Sequence, residues 1–289
     1  INRNPVEGYS DYSRLLSNPE VDVVDICTPS CMHCSQVVTA ALADKHILVE
    51  KPAALNLREM DLAIEAANSS GVTLGVVHQN RFNKPVGELY RAVKDGLFGR
   101  ITHASVTIRR NRNRDYYNRR PWRKSRRMGG GVLANQAIHS IDLLQWIMGP
   151  VKDVFAYTGT YCNDIEGEEI GTAVLRFASG ALGSIEAAST VYPGNLGDTL
   201  SVFGERGTVI IGGYNTDEAI VWDIKGHKGI SPTRAKGSGT HVDVMRDMVA
   251  AITKGCKPNV DGNDARKSLE LLLAIYKSAD TGVPVRVNG

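Results

Sequence analysis

Strand-and-helix units follow one another through roughly the first hundred residues, and no other feature of the chain restricts its fold as strongly. The run VDVVDIC (21–27) reads as a short buried strand, followed by a helical pattern over CSQVVTAALADK with apolar Val37, Val38, Ala41 and Leu42. HILVEKP is a second strand stopped by Pro52, and NLREMDLAIEAANSSG is a capped helix closed by Gly71. VTLGVVHQN is a third strand, and PVGELYRAVKDGLFG a further helix. Parallel neighbours need a connection long enough to hold a helix, so this alternation predicts a parallel, doubly wound sheet. In such sheets ligands gather at the carboxyl ends of the strands.

The texture changes near residue 100. ITHASVTIRR, VKDVFAYTGTYC, IGTAVLRFASGALGSIEAAST and TLSVFGERGTVIIGG are rich in strand formers, with Ser179-Gly180 and Glu205-Arg206-Gly207 placed as hairpin turns. Between the first two of these strands, GGGVLANQAIHSIDLLQWIMG carries Leu133, Ala137, Ile141, Leu144 and Ile147 at helical spacing. Two more helices are expected at about 240–254 and 262–280. The expected fold class is therefore α/β: an incomplete Rossmann-like doubly wound parallel sheet over 1–98, then an α+β domain over 99–289 with a large open, mostly antiparallel sheet.

Composition narrows the function classes. The chain has 289 residues, 42% of them hydrophobic, enough for a substantial core. Its 34 basic and 31 acidic residues leave a net charge of +3, too balanced to imply a nucleic-acid or membrane partner for the whole chain. No apolar run is long enough to span a bilayer. The start, INRNPVEGYS, has no signal-peptide pattern and no initiating Met. Five cysteines in a chain this long do not make a disulfide framework, and a reducing cytoplasm is the expected location.

Three of those cysteines, Cys27, Cys31 and Cys34, fall at the spacing C-x3-C-x2-C, which can hold an iron-sulfur cluster. Such a cluster needs all three thiols to converge and a longer series of strand-helix units to wrap it, which this chain does not supply. Free cysteine packs mainly as a compact hydrophobe, so the residues are read as small loop residues and no metal is expected.

A resemblance accounts for the same stretch. C-T-P-x-x-x-H (Cys27 to His33) ends one strand, E-K-P (Glu50, Lys51, Pro52) ends the next, and GGG…NQxxHxxD opens a later helix. Together these are similar to the Gfo/Idh/MocA family of nicotinamide-dependent sugar and cyclitol oxidoreductases. The resemblance implies that Thr28, Pro29 and His33, with Glu50, Lys51 and Pro52, border an NAD or NADP cofactor. It implies that Lys51 orients the substrate hydroxyl and that His139 is the general acid/base. It implies a small-molecule sugar or cyclitol substrate and a homo-oligomer, dimer or tetramer, joined through the open sheet. Relatives often carry Asp where this chain has Asn135, which can hydrogen-bond but cannot stabilise an imidazolium by charge. Asp142, three residues beyond His139, is read as a structural helix carboxylate.

Residues 109–127, RRNRNRDYYNRRPWRKSRR, are read as a basic loop interleaved with aromatics, leading directly into the helix of His139. Arginine grips carboxylates and phosphates bidentately, so Arg120, Trp122 and Arg123, with Asn135, are expected to bind an anionic sugar such as a nucleotide-linked sugar, uronate or sugar phosphate. A solvated basic face and single-strand nucleic-acid binding are the competing readings, and nucleic acid is not the expected partner. No G-x-G-x-x-G turn occurs in the sequence. The expectation is a chain beginning after that turn, its upstream residues omitted or removed. The alternative is a non-catalytic, sugar-binding or regulatory homologue that has lost its cofactor site.

Overall fold

A computed structural model describes residues 7–227 and 239–287. After a short helix α1 (Tyr12–Leu16), the chain runs β1 (Val23–Ile26), α2 (His33–Leu42), β2 (His46–Val49), α3 (Leu57–Ser69), β3 (Leu74–Val76) and α4 (Lys84–Lys94). The three strands lie side by side in chain order and all pair parallel. Their crossover helices α2 and α3 pack against each other. Asn56 caps α3, its side chain accepting from the Glu59 amide. This is the Rossmann-like sheet expected from the alternation.

The second half runs β4 (Ile101–Arg109), α5 (Arg114–Asn118), α6 (Ile138–Met148), β5 (Val151–Gly159), β6 (Ile170–Phe177), β7 (Leu182–Ala188), β8 (Gly197–Gly204), β9 (Gly207–Gly212), β10 (Glu218–Ile224), α7 (His241–Lys254), α8 (Gly262–Thr281) and β11 (Val285–Arg286). Eight strands form one open sheet in the order β10-β9-β8-β4-β7-β6-β5-β11. Its hairpins are antiparallel, but β4 sits between β7 and β8 and pairs parallel with β7. The sheet is thus mixed, as a strand inserted from outside the hairpin series requires. Edge strands β10 and β11 and the helix α5 go beyond the sequence reading, and residues 109–127 are not a plain loop.

Residues on β6 alternate, with Ala173, Leu175 and Phe177 buried and Thr172, Val174 and Arg176 turned outward. The inward side joins one apolar cluster with Val106 and Leu200 of this sheet, Ile47 and Val76 of the other, and Leu272 and Ile275 of α8. Helix α8 touches α3, α6, β3 and β5, so it is shared by both sheets. Just before it, the Val260 carbonyl accepts from the Val76 amide at 3.0 Å, and Asp261 bridges Gly75. The far side of the large sheet leaves Tyr157, Val174 and Leu182 more than half exposed, at 67%, 55% and 54%.

Candidate active site

The three parallel strands end at one edge, and the segment after each brings a polar group there. After β1, Thr28 Oγ1 donates to Gln36 Oε1 at 2.5 Å. His33 is buried, its ring nitrogens 2.8 Å from the carbonyl oxygens of Thr28 and Pro52, so one ring fixes the first loop against the second. After β2 come Glu50, Lys51 and buried Pro52, with Glu50 Oε1 3.1 Å from His241 Nε2 on α7. After β3 comes His78, 2% exposed.

The opposite wall is the start of α6. Gly131 has φ +104°, and a Cβ there would strike the Glu168 carboxylate; one at Gly130 would strike the Arg123 and Ser125 carbonyls. Gly130 therefore lets the basic segment close directly onto the helix entry, and Gly131 lets Glu168 do so from the other side. Glu168 Oε1 in turn accepts from the Leu133 amide at 2.8 Å and from the Tyr276 hydroxyl at 3.0 Å. A wide π turn over Leu133–Ala137 precedes the regular helix, a distortion common at functional sites.

Lys51 reaches from the sheet edge to the helix entry just ahead of His139. Lys51 Nζ donates to the Asn135 carbonyl at 2.6 Å, one turn before His139. Burial lowers the lysine pKa; Glu50 opposes the shift, while Arg123 and Arg112 reinforce it. His139 Nδ1 lies 3.3 Å from His78 Nδ1, and the rings meet edge to face with centroids 5.3 Å apart. Burial, followed by the charges of Lys51, His78, His241 and Arg110, holds the His139 pKa well below its ordinary value. Such an imidazole is neutral at neutral pH and can accept a hydroxyl proton.

Behind the two rings lies an ion-paired layer. His78 Nδ1 is 3.9 Å from Asp142 Oδ2. Arg81 donates to both Asp142 oxygens at 2.7 Å, and Ser268 Oγ of α8 donates at 2.7 Å. Burial alone would raise the Asp142 carboxyl, but His78, Arg81 and these hydrogen bonds hold it below its usual range. Burial also lowers the His78 pKa, although Asp142 opposes it. Asp142 is thus buried in this ion-paired layer, next to His78.

Asn135 points its Oδ1 toward the basic segment, accepting from Tyr116 at 3.2 Å and from Gln136 at 2.6 Å. The Tyr116 ring lies between two guanidinium groups, Arg112 at 4.9 Å and Arg123 at 4.5 Å from its centroid. Arg112 also grips Gln136 Oε1 at 2.6 and 3.1 Å. Trp122 is half-buried beside Arg123, whose Nε is buried without a hydrogen-bond partner. Arg120 is exposed and donates to the Arg119 carbonyl at 3.3 Å, so it is not gathered with the others.

Cys27 and Cys31 are exposed and Cys34 is half-buried, so the first two are not the packed hydrophobes expected from the sequence. Burial and the neighbouring Asp25 and Glu50 push the Cys27 thiol up to about 11, away from thiolate chemistry. Among the described residues no three His, Cys, Asp or Glu side chains come together to hold a metal. None of the described helices is long and apolar enough to cross a membrane.

Sequence reasoning missed His78, Arg112, Tyr116, Arg110 and His241. His78 was within reach of the strand-end rule already applied to β1 and β2.

A Rossmann-like sheet whose carboxyl edge sends a desolvated lysine to the start of a helix bearing a neutral histidine has the parts of a dinucleotide-dependent oxidoreductase. The chain belongs to the Gfo/Idh/MocA family: residues 2–78 match "Oxidoreductase family, NAD-binding Rossmann fold" and residues 86–210 match "GFO/IDH/MocA C-terminal domain". Among solved structures it is similar to the WlbA dehydrogenase of Chromobacterium violaceum, with 34% identity and a TM-score of 0.92 over 97% of this chain and 82% of that one. The WlbA dehydrogenase of Bordetella pertussis gives 34% and 0.88, over 97% and 83%; both structures are complexes with NADH and UDP-GlcNAcA. The myo-inositol 2-dehydrogenase of Thermotoga maritima is 29% identical over 95% of this chain and 82% of its own length.

Proposed function

We propose that this chain holds the catalytic cleft of an NAD-dependent dehydrogenase acting on a secondary alcohol of an anionic sugar, with a nucleotide-linked uronate as the substrate class. The observation that carries the reading is the pair of guanidinium groups, Arg112 and Arg123, at the Tyr116 ring, close enough for their charges to bear on Lys51, while Tyr116 donates to Asn135 one turn before His139. A buried, unpartnered Arg123 Nε is a donor waiting for an anion, and guanidinium groups suit carboxylate and phosphate. The relatives at 34% identity that hold a UDP-linked sugar support this over a neutral cyclitol.

The residues present fit the nicotinamide end of a cofactor. The loops carrying Thr28, Pro29, Glu50 and Pro52 are locked together through His33, and Lys51 projects between them and α6. When bound, the nicotinamide supplies the acceptor or donor of hydride. Lys51 orients the substrate hydroxyl, and His139 accepts or returns its proton. The same reading takes residues 1–98 as the dinucleotide-binding part and 99–289 as the substrate-binding and oligomerisation part. Self-association would use the face bearing Tyr157, Val174 and Leu182.

The test is steady-state oxidation followed by NADH absorbance, with UDP-GlcNAcA and myo-inositol as probes on the natural full-length protein. Turnover of the first with little or none of the second is expected. Equal or better turnover of myo-inositol, with Arg123→Ala leaving KM for UDP-GlcNAcA unchanged, would remove the anionic-substrate reading.

A further inference from the structure

We infer that His78 is a positioning residue of this site: it shares one proton with His139 between their Nδ1 atoms and passes the charge of the reaction's proton toward Asp142. The inference rests on the reading of His139 as the acid/base and adds what becomes of the proton after His139 takes it.

The usual device for stabilising a protonated histidine, a carboxylate one turn earlier on its helix, is absent here. Asn135 is a neutral amide, and its oxygen accepts from Tyr116 and Gln136. His139 also faces three groups that carry or can carry positive charge, Lys51 after β2, Arg110 after β4 and His241 on α7. A proton kept on this ring would be repelled from several sides. The second ring has different neighbours. His78 faces Asp142 on α6 and Glu50 after β2, with Arg81 and Lys51 also near, and Asp142 is the carboxylate nearest to its Nδ1. Arg81 and Ser268 hold Asp142 ionised and in place.

Two neutral imidazoles 3.3 Å apart at their Nδ1 atoms can share only one proton, since one nitrogen must donate and the other accept. In one arrangement His139 bears the Nδ1 proton and its Nε2 lone pair is free to act as base. In the other, reached once the pair has gained a proton from the substrate, His78 bears that proton on Nδ1 beside the one on its Nε2, and His139 carries its own on Nε2, ready to act as acid. Oxidation of the alcohol converts the first into the second. The alcohol C–H bond breaks with its electron pair leaving as hydride to the nicotinamide, and the hydroxyl proton goes to His139 Nε2. The proton on His139 Nδ1 moves to His78 Nδ1. His139 ends neutral, His78 ends as imidazolium beside Asp142, and the substrate ends as the ketone. Reduction runs the same transfers backward. The imidazole pair thus moves positive charge from a ring crowded by cations to one beside a carboxylate.

The test combines nitrogen NMR with kinetics on the natural full-length protein. In the wild type, the His78 and His139 Nδ1 signals are expected to show one shared proton, and the two rings are expected to titrate as a coupled pair. His78→Phe keeps the volume but removes the partner. It should lower kcat for oxidation of UDP-GlcNAcA by about tenfold or more with little change in KM. It should also move the acid limb of kcat/KM downward in pH, because the proton taken up can no longer pass to the ring beside Asp142. Independent titration of the two rings in the wild type would overturn the inference without any variant. So would an unmoved acid limb in folded His78→Phe. His139→Ala separates the two levels: if it loses turnover while His78→Phe behaves as wild type, only the shared proton is wrong. If His139→Ala keeps full turnover, the acid/base reading itself fails.

Discussion

Two regions of this protein are dense in charge, and they treat it in opposite ways. Around His78, the charges are buried and paired: Arg81 is clasped by Asp142 and Asp264, and Asp142 by Arg81 and Ser268. Along residues 109–127, Arg110 is buried against Asp198, and Arg109 and Arg126 pair with Glu186 and Asp280, but Arg114, Arg119, Arg120 and Arg127 are exposed, and Arg112 and Arg123 are folded back over Tyr116. A buried charge requires a fixed partner, so the first region sets proton positions. A solvated cation keeps its freedom and is held only where a ligand or an aromatic ring arrests it, which is why the proposed function assigns substrate capture to the second region. Nearness in sequence or sign of charge does not distinguish the two roles; burial does.

That contrast can be broken in steps. The largest effect is expected at their junction, where Lys51→Met should lower kcat/KM for UDP-GlcNAcA by about 10²–10⁴-fold in steady-state assays, because the lysine's charge bears on both histidines and feels Arg112 and Arg123. Next, Arg81→Met strands the Asp142 carboxylate and should cost about 3–5 kcal/mol in urea unfolding. A loss under 1 kcal/mol would show that the paired layer is not tightly desolvated.

Acid should distinguish the regions as well. The His78 and His139 pKa values are depressed in the folded state, so the unfolded chain binds more protons as pH falls below about 6.5. Stability from these rings is present above that pH and lost below it, at up to about 1.4 kcal/mol per pH unit for each ring. Asp198, pushed up to about 7 mainly by burial, works in the opposite sense, since a raised carboxyl favours the fold at lower pH. His78→Phe leaves Asp198 and His139 in place, so the difference between the two unfolding-versus-pH curves isolates the His78 ring; identical slopes would refute its burial as a cause. The smallest effects belong to the outer cations. Arg123→Ala should raise KM for UDP-GlcNAcA about tenfold, whereas Arg120→Ala should change it less than about twofold. A reversal would place the anion on the exposed side of the segment.

Much of this site was legible because local pattern dictates it. Alternating strands and helices located the carboxyl edge, while Thr28, Lys51 and His139 were singled out by the family resemblance. The basic run was visible but undifferentiated, since ten cations look alike until α5 turns Arg112 and Arg123 onto one ring. The pairing of Arg81 with Asp142 crosses 61 positions and that of Ser268 with Asp142 crosses 126, separations that no local periodicity reports. Strands β10 and β11 were missed because they are edge strands, where half of the pairing and much of the apolar signal are absent.

Helix α8 has a consequence for how this family can be recombined. It seals the small sheet, backs the large one, and supplies through Ser268 a hydrogen bond to the carboxylate behind the histidines. A chimera that grafts one half of this chain onto the other half of a relative would inherit a seam at the chemistry itself. The last helix must therefore travel with the residue 78 to 142 pairing, whichever half is exchanged.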